Sequence, residues 1–380
     1  MRVMLDCRSL TPAAGGIARS TLALAQHLQP ELRAGECLEL LVTPHRPRGE
    51  LVPADVGIVE VDSAMIDPVF DQLQLPGLIE ERGVDVYHGA CFSIPIASGG
   101  AARVATVHDV VFRRHPSLVE PNLRAHLDLF TQVACELADS VVTVSDFSRQ
   151  EIAECYGRAL ETIDVIPNAA DDRFGRLRRR DPQGAPYLLY VGAIEPKKNV
   201  PALLEAFAAL LALHPELPHE LILAGGAGGA PLDLPGALRA FPTLAGRVRP
   251  LGRVSDAALL ALLREADLFV YPSEYEGFGL PPLEAMAAGV PTVVSNRASL
   301  PEVVGDGALV VDPHEPERFA AALASLLTQS AKREDLTRRG KRRATEFSWR
   351  ASARRLADLY RRVHQARRAS PSAMVPGRIQ

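Results

Sequence analysis

LFVYPSEYEGFGLPPLEAMAAG, residues 268–289, sets the fold because a buried strand, an acidic loop and a helix start follow one another in it without interruption. Leu268–Tyr271 is a short apolar run of the kind that fills the centre of a parallel sheet, and Pro272 ends it. Ser273–Gly279 then carries two acids and two glycines. Pro281 and Pro282 set the first turn of an Ala-rich helix that stops at Gly289. A strand end, a loop and a helix N-terminus in that order make a ligand site at the carboxyl edge of an open α/β sheet. Glu276 on the loop and Glu284 in the first helical turn are eight residues apart.

Upstream, YLLYVGAIEPKKNV (187–200) repeats the pattern: a strand, Gly192, a loop with Glu195, Lys197 and Lys198, and a helix that starts after Asn199, a good N-cap. Two lysines beside a helix start suit a phosphate, although a lone lysine is more often a solvated one. ELILAGG (220–226), PTVVSN (291–296) and GALVVDP (307–313) read as further strands of the same half. The first half alternates similarly. Arg2–Cys7, LELLVT (38–43), VGIVEV (56–61), VDVYHG (84–89), RVATVHD (103–109), SVVTVS (140–145) and the start of IDVIPNAAD (163–171) are strands separated by helical or loop sequence. Gly15 and Gly16 end a turn that lets backbone approach a ligand, or simply makes the turn. His88 and His108 sit at strand ends, where such sheets meet ligands; His88 fits a satisfied structural histidine and His108, followed by Asp109, is the better site candidate.

These patterns give an α/β chain of two doubly wound domains: residues 1–173, a charged Gly- and Pro-containing linker at 174–186 whose basic residues read as solvated, and a second domain at 187–346. A last helix, 347–368, carries Trp349, Leu356, Leu359, Tyr360 and Val363 as an apolar stripe among arginines, and 369–380 reads as a disordered tail. The net charge of −4 hides an asymmetry: from Lys332 onward 15 Lys and Arg face four acids. A solvated, Arg-rich helix face explains this, and peripheral attraction to an anionic membrane is the sharper alternative. No aromatic stacking pattern accompanies the charge, so nucleic acid is not expected as a partner. Five cysteines without C-x-x-C spacing read as small buried hydrophobes in a reducing compartment, and no apolar stretch is long enough to span a membrane. The expectation is a cytoplasmic protein.

The chain has no G-x-x-x-x-G-K-[ST] phosphate loop and no G-x-S-x-G nucleophile elbow. It also has no D-x-D pair to clamp a divalent cation on a diphosphate, so positive protein groups would do that work and no metal or other cofactor is expected.

VGAIEPKKN, together with LGRVSDAALLALLREADLFVYPSEYEGFGLPPLEAMAAGVPTVVSNRASLPEVVGDGALVVDP, closely resembles glycosyltransferase family 4, the retaining sugar-nucleotide transferases with the GT-B fold. GGIARSTLALAQHL, TVHDVVF, VVTVSDFSRQEI and VIPNAAD extend the resemblance through the first half. It implies two facing Rossmann-like domains, with the last helix crossing back to the first. Glu276 and Glu284 match the family's E-x7-E pair, the first on donor-sugar hydroxyls and the second on the nucleotide ribose. The amides of Gly277, Phe278, Gly279 and Leu280 would lie against sugar and diphosphate, Lys198 on the diphosphate, and Gly16 on the loop that closes over it. His108 matches the first-domain histidine near the reacting sugar, and Arg253-Val254 should border the base. Many relatives carry an arginine where this chain has Ala193. Lys197 or Arg253 could replace it, or one lysine could suffice.

The resemblance therefore implies a metal-independent hexosyltransferase, with Glu276, His108 and Lys198 at the reacting centre. EPKKN with YEGFGLPPLEAM is most similar to the mannosyl- and rhamnosyl-type transferases of bacterial polysaccharide and lipopolysaccharide synthesis. That implies a sugar-nucleotide donor, a GDP-sugar in the first place with UDP- and dTDP-sugars left open, and a saccharide or lipid-linked acceptor. A nucleotide-sugar hydrolase or epimerase on the same fold, or a catalytically silent sugar-nucleotide-binding module of a synthesis complex, are the alternatives.

Overall fold

The computed structural model describes residues 1–10, 15–44, 56–64, 67–180, 183–228 and 232–369. The tail expected at 369–380 lies, after Ala369, outside them. β1 (Arg2–Asp6), β2 (Cys37–Val42), β3 (Gly57–Glu60), β4 (Val86–Gly89), β5 (Ala102–Thr106), β6 (Ser140–Thr143) and β7 (Ile163–Val165) form a parallel sheet in the order β3-β2-β1-β4-β5-β6-β7. β8 (Tyr187–Val191), β9 (Glu220–Ala224), β10 (Val248–Gly252), β11 (Leu268–Tyr271), β12 (Thr292–Ser295) and β13 (Leu309–Val311) form a second, in the order β10-β9-β8-β11-β12-β13.

Both orders run one way from the first strand and then return to its other side. The reversal falls between β1 and β4 in one sheet and between β8 and β11 in the other. Connections that leave two adjacent strands in opposite directions open a crevice beyond their carboxyl ends, which is where open α/β sheets bind ligands. β8 and β11 deliver residues 192–199 and 272–279 to that place, and β1 leads toward Gly15 and Gly16.

Apolar strands buried on both faces build the cores. Leu188, Leu189, Phe269, Val270, Val293 and Val294 centre the second sheet's core. Val3, Leu5, Val86 and Val104 face one side of the first sheet, and Met4, Tyr87, Ala105 and Val141 the other. β10 departs from the apolar pattern: its sequence VRPLG is mostly exposed and contains Pro250, which reads as a break rather than a strand. It is tolerated because β10 is an edge strand that pairs only with β9. The linker expectation also needs correction. Phe174 and Leu177 are buried in the second core, and Arg179 donates from Nη1 to the Leu263 carbonyl at 2.5 Å and from Nη2 to that of Ala266, so it is not solvated.

The helix Trp349–Ala369 crosses back to the first sheet, where Ala353, Leu356, Ala357, Tyr360 and Val363 join its core. Each such large apolar side chain contributes about 1.5–3 kcal/mol when fully buried. The Tyr360 hydroxyl lies 2.6 Å from His88 Nδ1, whose Nε2 is 2.7 Å from Thr106 Oγ1. Burial lowers the His88 pKa to about 3, so the ring is neutral and structural. Four of the helix's arginines pair with first-domain carboxylates: Arg350 and Arg354 with Glu31, Arg361 with Glu36 at 2.7 Å, and Arg362 with Asp164 at 2.7 Å. Hydrogen bonds from Arg361 hold the Glu36 carboxyl below its ordinary value against a partial burial effect. No helix among the described residues is long and apolar enough to cross a membrane. The cysteines are unpaired, and Cys37, at the start of β2, is exposed rather than buried.

Candidate active site

The crevice between the two switch points is a cleft of about 600 Å³, open to solvent. Gly15, Gly16, His108, Asp109 and Asn168 line it from the first domain, and Gly192, Ala193, Lys197, Lys198, Tyr271, Glu276, Gly277, Phe278, Gly279 and Leu280 from the second.

Lys198 ends a short 3-10 turn, Pro196–Lys198, and Asn199 follows in a left-handed conformation from which its side chain caps the next helix. This bend aims the Lys198 ammonium at the β11 loop, where it donates to Glu276 Oε1 at 2.5 Å and to the Tyr271 hydroxyl at 3.0 Å. Ser273, fully buried, donates to the same Glu276 oxygen at 2.6 Å. Burial pushes the Glu276 carboxyl up, but the charges of Lys198 and Lys197 and the two hydrogen bonds outweigh it, and the group is held below the ordinary glutamate value. Burial likewise opposes the Lys198 charge, and Glu276 reverses that, so the ammonium titrates above its usual value. Both groups are ionised at neutral pH.

Gly277–Leu280 turns the chain from loop into helix. Gly279 has φ +105°, and a Cβ there would stand 2.6 Å from Leu300. A Cβ on Gly277 would stand 2.1 Å from the carbonyl oxygen of His108, so only glycine lets the second domain's loop touch the first domain here. The helix begins at Leu280 rather than Pro281, which places Glu284 one residue past the first turn. Pro281 and Pro282 have no N–H to offer. The amides available to an anion are therefore those of Gly277 to Leu280, and none of the four donates to a protein acceptor among the described residues.

His108 lines the cleft with its Nε2 3.0 Å from the Ala90 carbonyl oxygen. A carbonyl accepts only, so Nε2 carries the proton. Burial lowers the pKa of the ring and favours the neutral form. Lys197 also lines the cleft, 3.6 Å from Glu195, whereas Arg253 and Val254, at the end of β10, fall outside the residues that line it. Of the two candidates for the cation missing at Ala193, Lys197 is the one at the cleft.

Glu284 is set apart from Glu276. It borders an adjoining cavity of about 150 Å³ that shares Leu280 with the main cleft, and Arg19 of the first domain donates to its Oε1 at 2.7 Å. Other residues that matter to the site lie outside the patterns legible in the sequence. Ser145 donates to the Gly277 carbonyl at 2.6 Å, and the backbone amides of Asp146 and Phe147 donate to the Glu302 carboxylate at 2.8 Å each, so a second-domain acid caps a first-domain helix. Tyr275 is buried in the first domain's core. The one signal available for Arg19 was its place: a cation in the first turn of a helix opposes the helix dipole.

Two doubly wound sheets that meet at their switch points are the GT-B architecture, the scaffold on which glycosyltransferases hold a sugar nucleotide between domains. The chain belongs to glycosyltransferase family 4: residues 14–174 match the family model "Glycosyltransferase Family 4" and residues 176–343 the model "Glycosyl transferases group 1". It is 37% identical over 273 residues to the O-antigen chain mannosyltransferase B of Escherichia coli, covering 70% of this chain and 71% of that protein. It is 32% identical over 294 residues to a D-inositol 3-phosphate glycosyltransferase of Thermobispora bispora, covering 70% of this chain and 67% of the relative. Among solved structures it is similar in fold to a sucrose-phosphate synthase from Thermosynechococcus elongatus, with TM-score 0.76, 21% identity, and 96% and 100% of the two chains covered. WaaG, a glycosyltransferase involved in lipopolysaccharide biosynthesis, gives TM-score 0.71 at 16% identity, covering 95% of this chain and 99% of WaaG.

Proposed function

We propose that the protein transfers a hexose, mannose in the first instance or a deoxyhexose such as rhamnose, from a GDP-sugar to a saccharide or lipid-linked acceptor with retention of configuration. The reading places it in cell-surface polysaccharide or lipopolysaccharide synthesis on the cytoplasmic side of the membrane. The likeness to an O-antigen mannosyltransferase supports the sugar and the setting. The observation that carries the chemistry is the Lys198–Glu276 pair beside four undonated loop amides.

Cleaving a glycosyl–phosphate bond places negative charge on the departing diphosphate and positive charge on the sugar ring. The Gly277–Leu280 amides and Lys198 are fixed donors for the first, in a cleft where such interactions are stronger than in water. Glu276, ionised and anchored by Ser273, balances the second while fixing the sugar hydroxyls. The acceptor hydroxyl attacks from the face the diphosphate leaves, and a phosphate oxygen takes its proton. His108, with its proton held on Nε2 by Ala90, has Nδ1 left to accept from a sugar hydroxyl. Glu284 takes the ribose hydroxyls. This scheme needs neither a metal nor a covalent enzyme intermediate.

The test is incubation with GDP-, UDP- and dTDP-sugars and a lipid-linked acceptor, followed by anomeric analysis of the product. A retained linkage formed from a GDP-hexose agrees with the proposal. Free sugar alone points to hydrolysis, binding without turnover to a silent module, and loss of all activity in chelator removes the metal-free scheme. Co-sedimentation with anionic vesicles checks membrane contact.

A further inference from the structure

Glu284 is an enclosed acid, 5% exposed, and its hydrogen-bond partner comes from the opposite domain. Arg19 stands in the first turn of the helix Gly16–Leu28, where a cation faces the positive end of the dipole and weakens the helix. Its benefit must lie off the helix, and its side chain reaches Glu284 Oε1, 265 residues away. The other charged groups facing Glu284 are Arg173, Asp256 and Asp171. Arg173 is turned to Asp256, at 2.7 Å, so Arg19 is the cation in direct contact with Glu284. Burial pushes the Glu284 carboxyl up to about 7 with Arg19 in place to oppose it; without Arg19, two nearby acids and burial would both favour the neutral acid.

Two neighbouring ribose hydroxyls are best received by an ionised carboxylate, which accepts only, whereas a protonated one presents a donor of its own. Glu284 Oε1 is held by Arg19, and Oε2 receives no protein donor among the described residues. We propose that Arg19 is a positioning residue for the donor: its pair with Glu284 favours the carboxylate form of that side chain, with one oxygen occupied and the other presented to the nucleotide ribose. The proposal rests on the reading of Glu284 as the ribose ligand. It makes nucleotide affinity, a property of the second domain, depend on the first helix of the first domain, and it gives that affinity an acid limit.

Calorimetric titration of the full chain with GDP and with UDP, between about pH 6 and 9, compares wild type, Arg19→Gln, Arg19→Lys and Glu284→Gln. The Arg19 side chain is 37% exposed, so these variants should fold, and thermal melting confirms it. Arg19→Gln is expected to weaken the nucleotide that binds by about 10-fold near neutrality. It should also move the fall of affinity on the acid side to higher pH, while Arg19→Lys keeps the wild-type pH profile. An unmoved profile or tighter binding in Arg19→Gln overturns the proposal. The underlying reading has its own sign: if Glu284→Gln, and the same nucleotide without its 2′- and 3′-hydroxyls, both bind as the natural pair does, the ribose assignment falls and Arg19 with it. If Glu284→Gln loses affinity and Arg19→Gln does not, only the Arg19 proposal is overturned.

Discussion

Lys198 Nζ stands 2.5 Å from Glu276 Oε1, and the two residues reach each other from the loops that leave adjacent strands β8 and β11. Neither charge is stranded in the unliganded protein, since each side chain is only 12% exposed and each neutralises the other. On the proposed reading an incoming donor meets two groups already ionised and held at the cleft, and the contact between them opens as its diphosphate and sugar replace it.

Lys198→Ala should lower kcat by about 10²–10³ and also lower stability by roughly 3 kcal/mol, because it leaves the Glu276 carboxylate enclosed without its cation. Lys198→Met combined with Glu276→Gln should recover most of the stability and none of the activity. Chemical denaturation and steady-state kinetics on the same preparations check both halves.

Ser273→Ala removes the hydroxyl that holds Glu276 in place at 2.6 Å and that also lies 3.0 Å from the Lys197 carbonyl oxygen. The expected result is a kcat loss of about 10-fold with donor affinity nearly kept. A variant with wild-type kcat would show that Lys198 alone orients Glu276.

Glu302→Ala removes the acceptor that the first two amides of the helix Asp146–Tyr156 reach across the domain boundary, while Ser145 stays as its N-cap. Loss of such a capping contact costs about 1 kcal/mol, and here it falls on the contact between the domains rather than on either domain alone. Small-angle scattering should show a larger radius of gyration for Glu302→Ala without donor, with the difference reduced when nucleotide binds.

The pH dependence of stability should carry the signature of His88. The unfolded chain protonates this ring near its ordinary value of 6.5, and the folded chain resists until about 3. Between those values the unfolded state binds the extra proton, so stability rises with pH, is fully present above about 6.5, and is lost as pH falls toward 3. His88→Gln, which can bond both Tyr360 and Thr106, should flatten this part of the melting-temperature profile. An unchanged slope would assign the acid sensitivity to other groups.

The legible parts of the fold were those where one residue type dominates a short run. β8 and β11 are uninterrupted apolar stretches bounded by glycine and proline, and their loops carry Lys198 and Glu276 at the strand ends, where topology puts ligands. β10 escaped because Pro250 and two exposed neighbours break the run, and only its edge position makes it a strand. Ser273 reads as an ordinary turn residue until burial shows that its hydroxyl has a charged acceptor. Arg19 and Glu302 could not be paired with their partners by spacing, since 265 and 155 residues intervene and only the packing of one domain against the other brings them together. The Arg-rich end looked like free positive charge because its acids, Glu31, Glu36 and Asp164, sit more than a hundred residues earlier.

The helix Trp349–Ala369 returns the chain to its first domain and is locked there by Tyr360 on His88. The two domains are thereby joined by two strands of covalent chain, one near Phe174 and one ahead of Trp349. A single tether would allow twisting and sliding. Two tethers restrict any opening to a swing about the line that joins them. The two halves are thereby constrained as the covers of a book are when its spine is held at both ends.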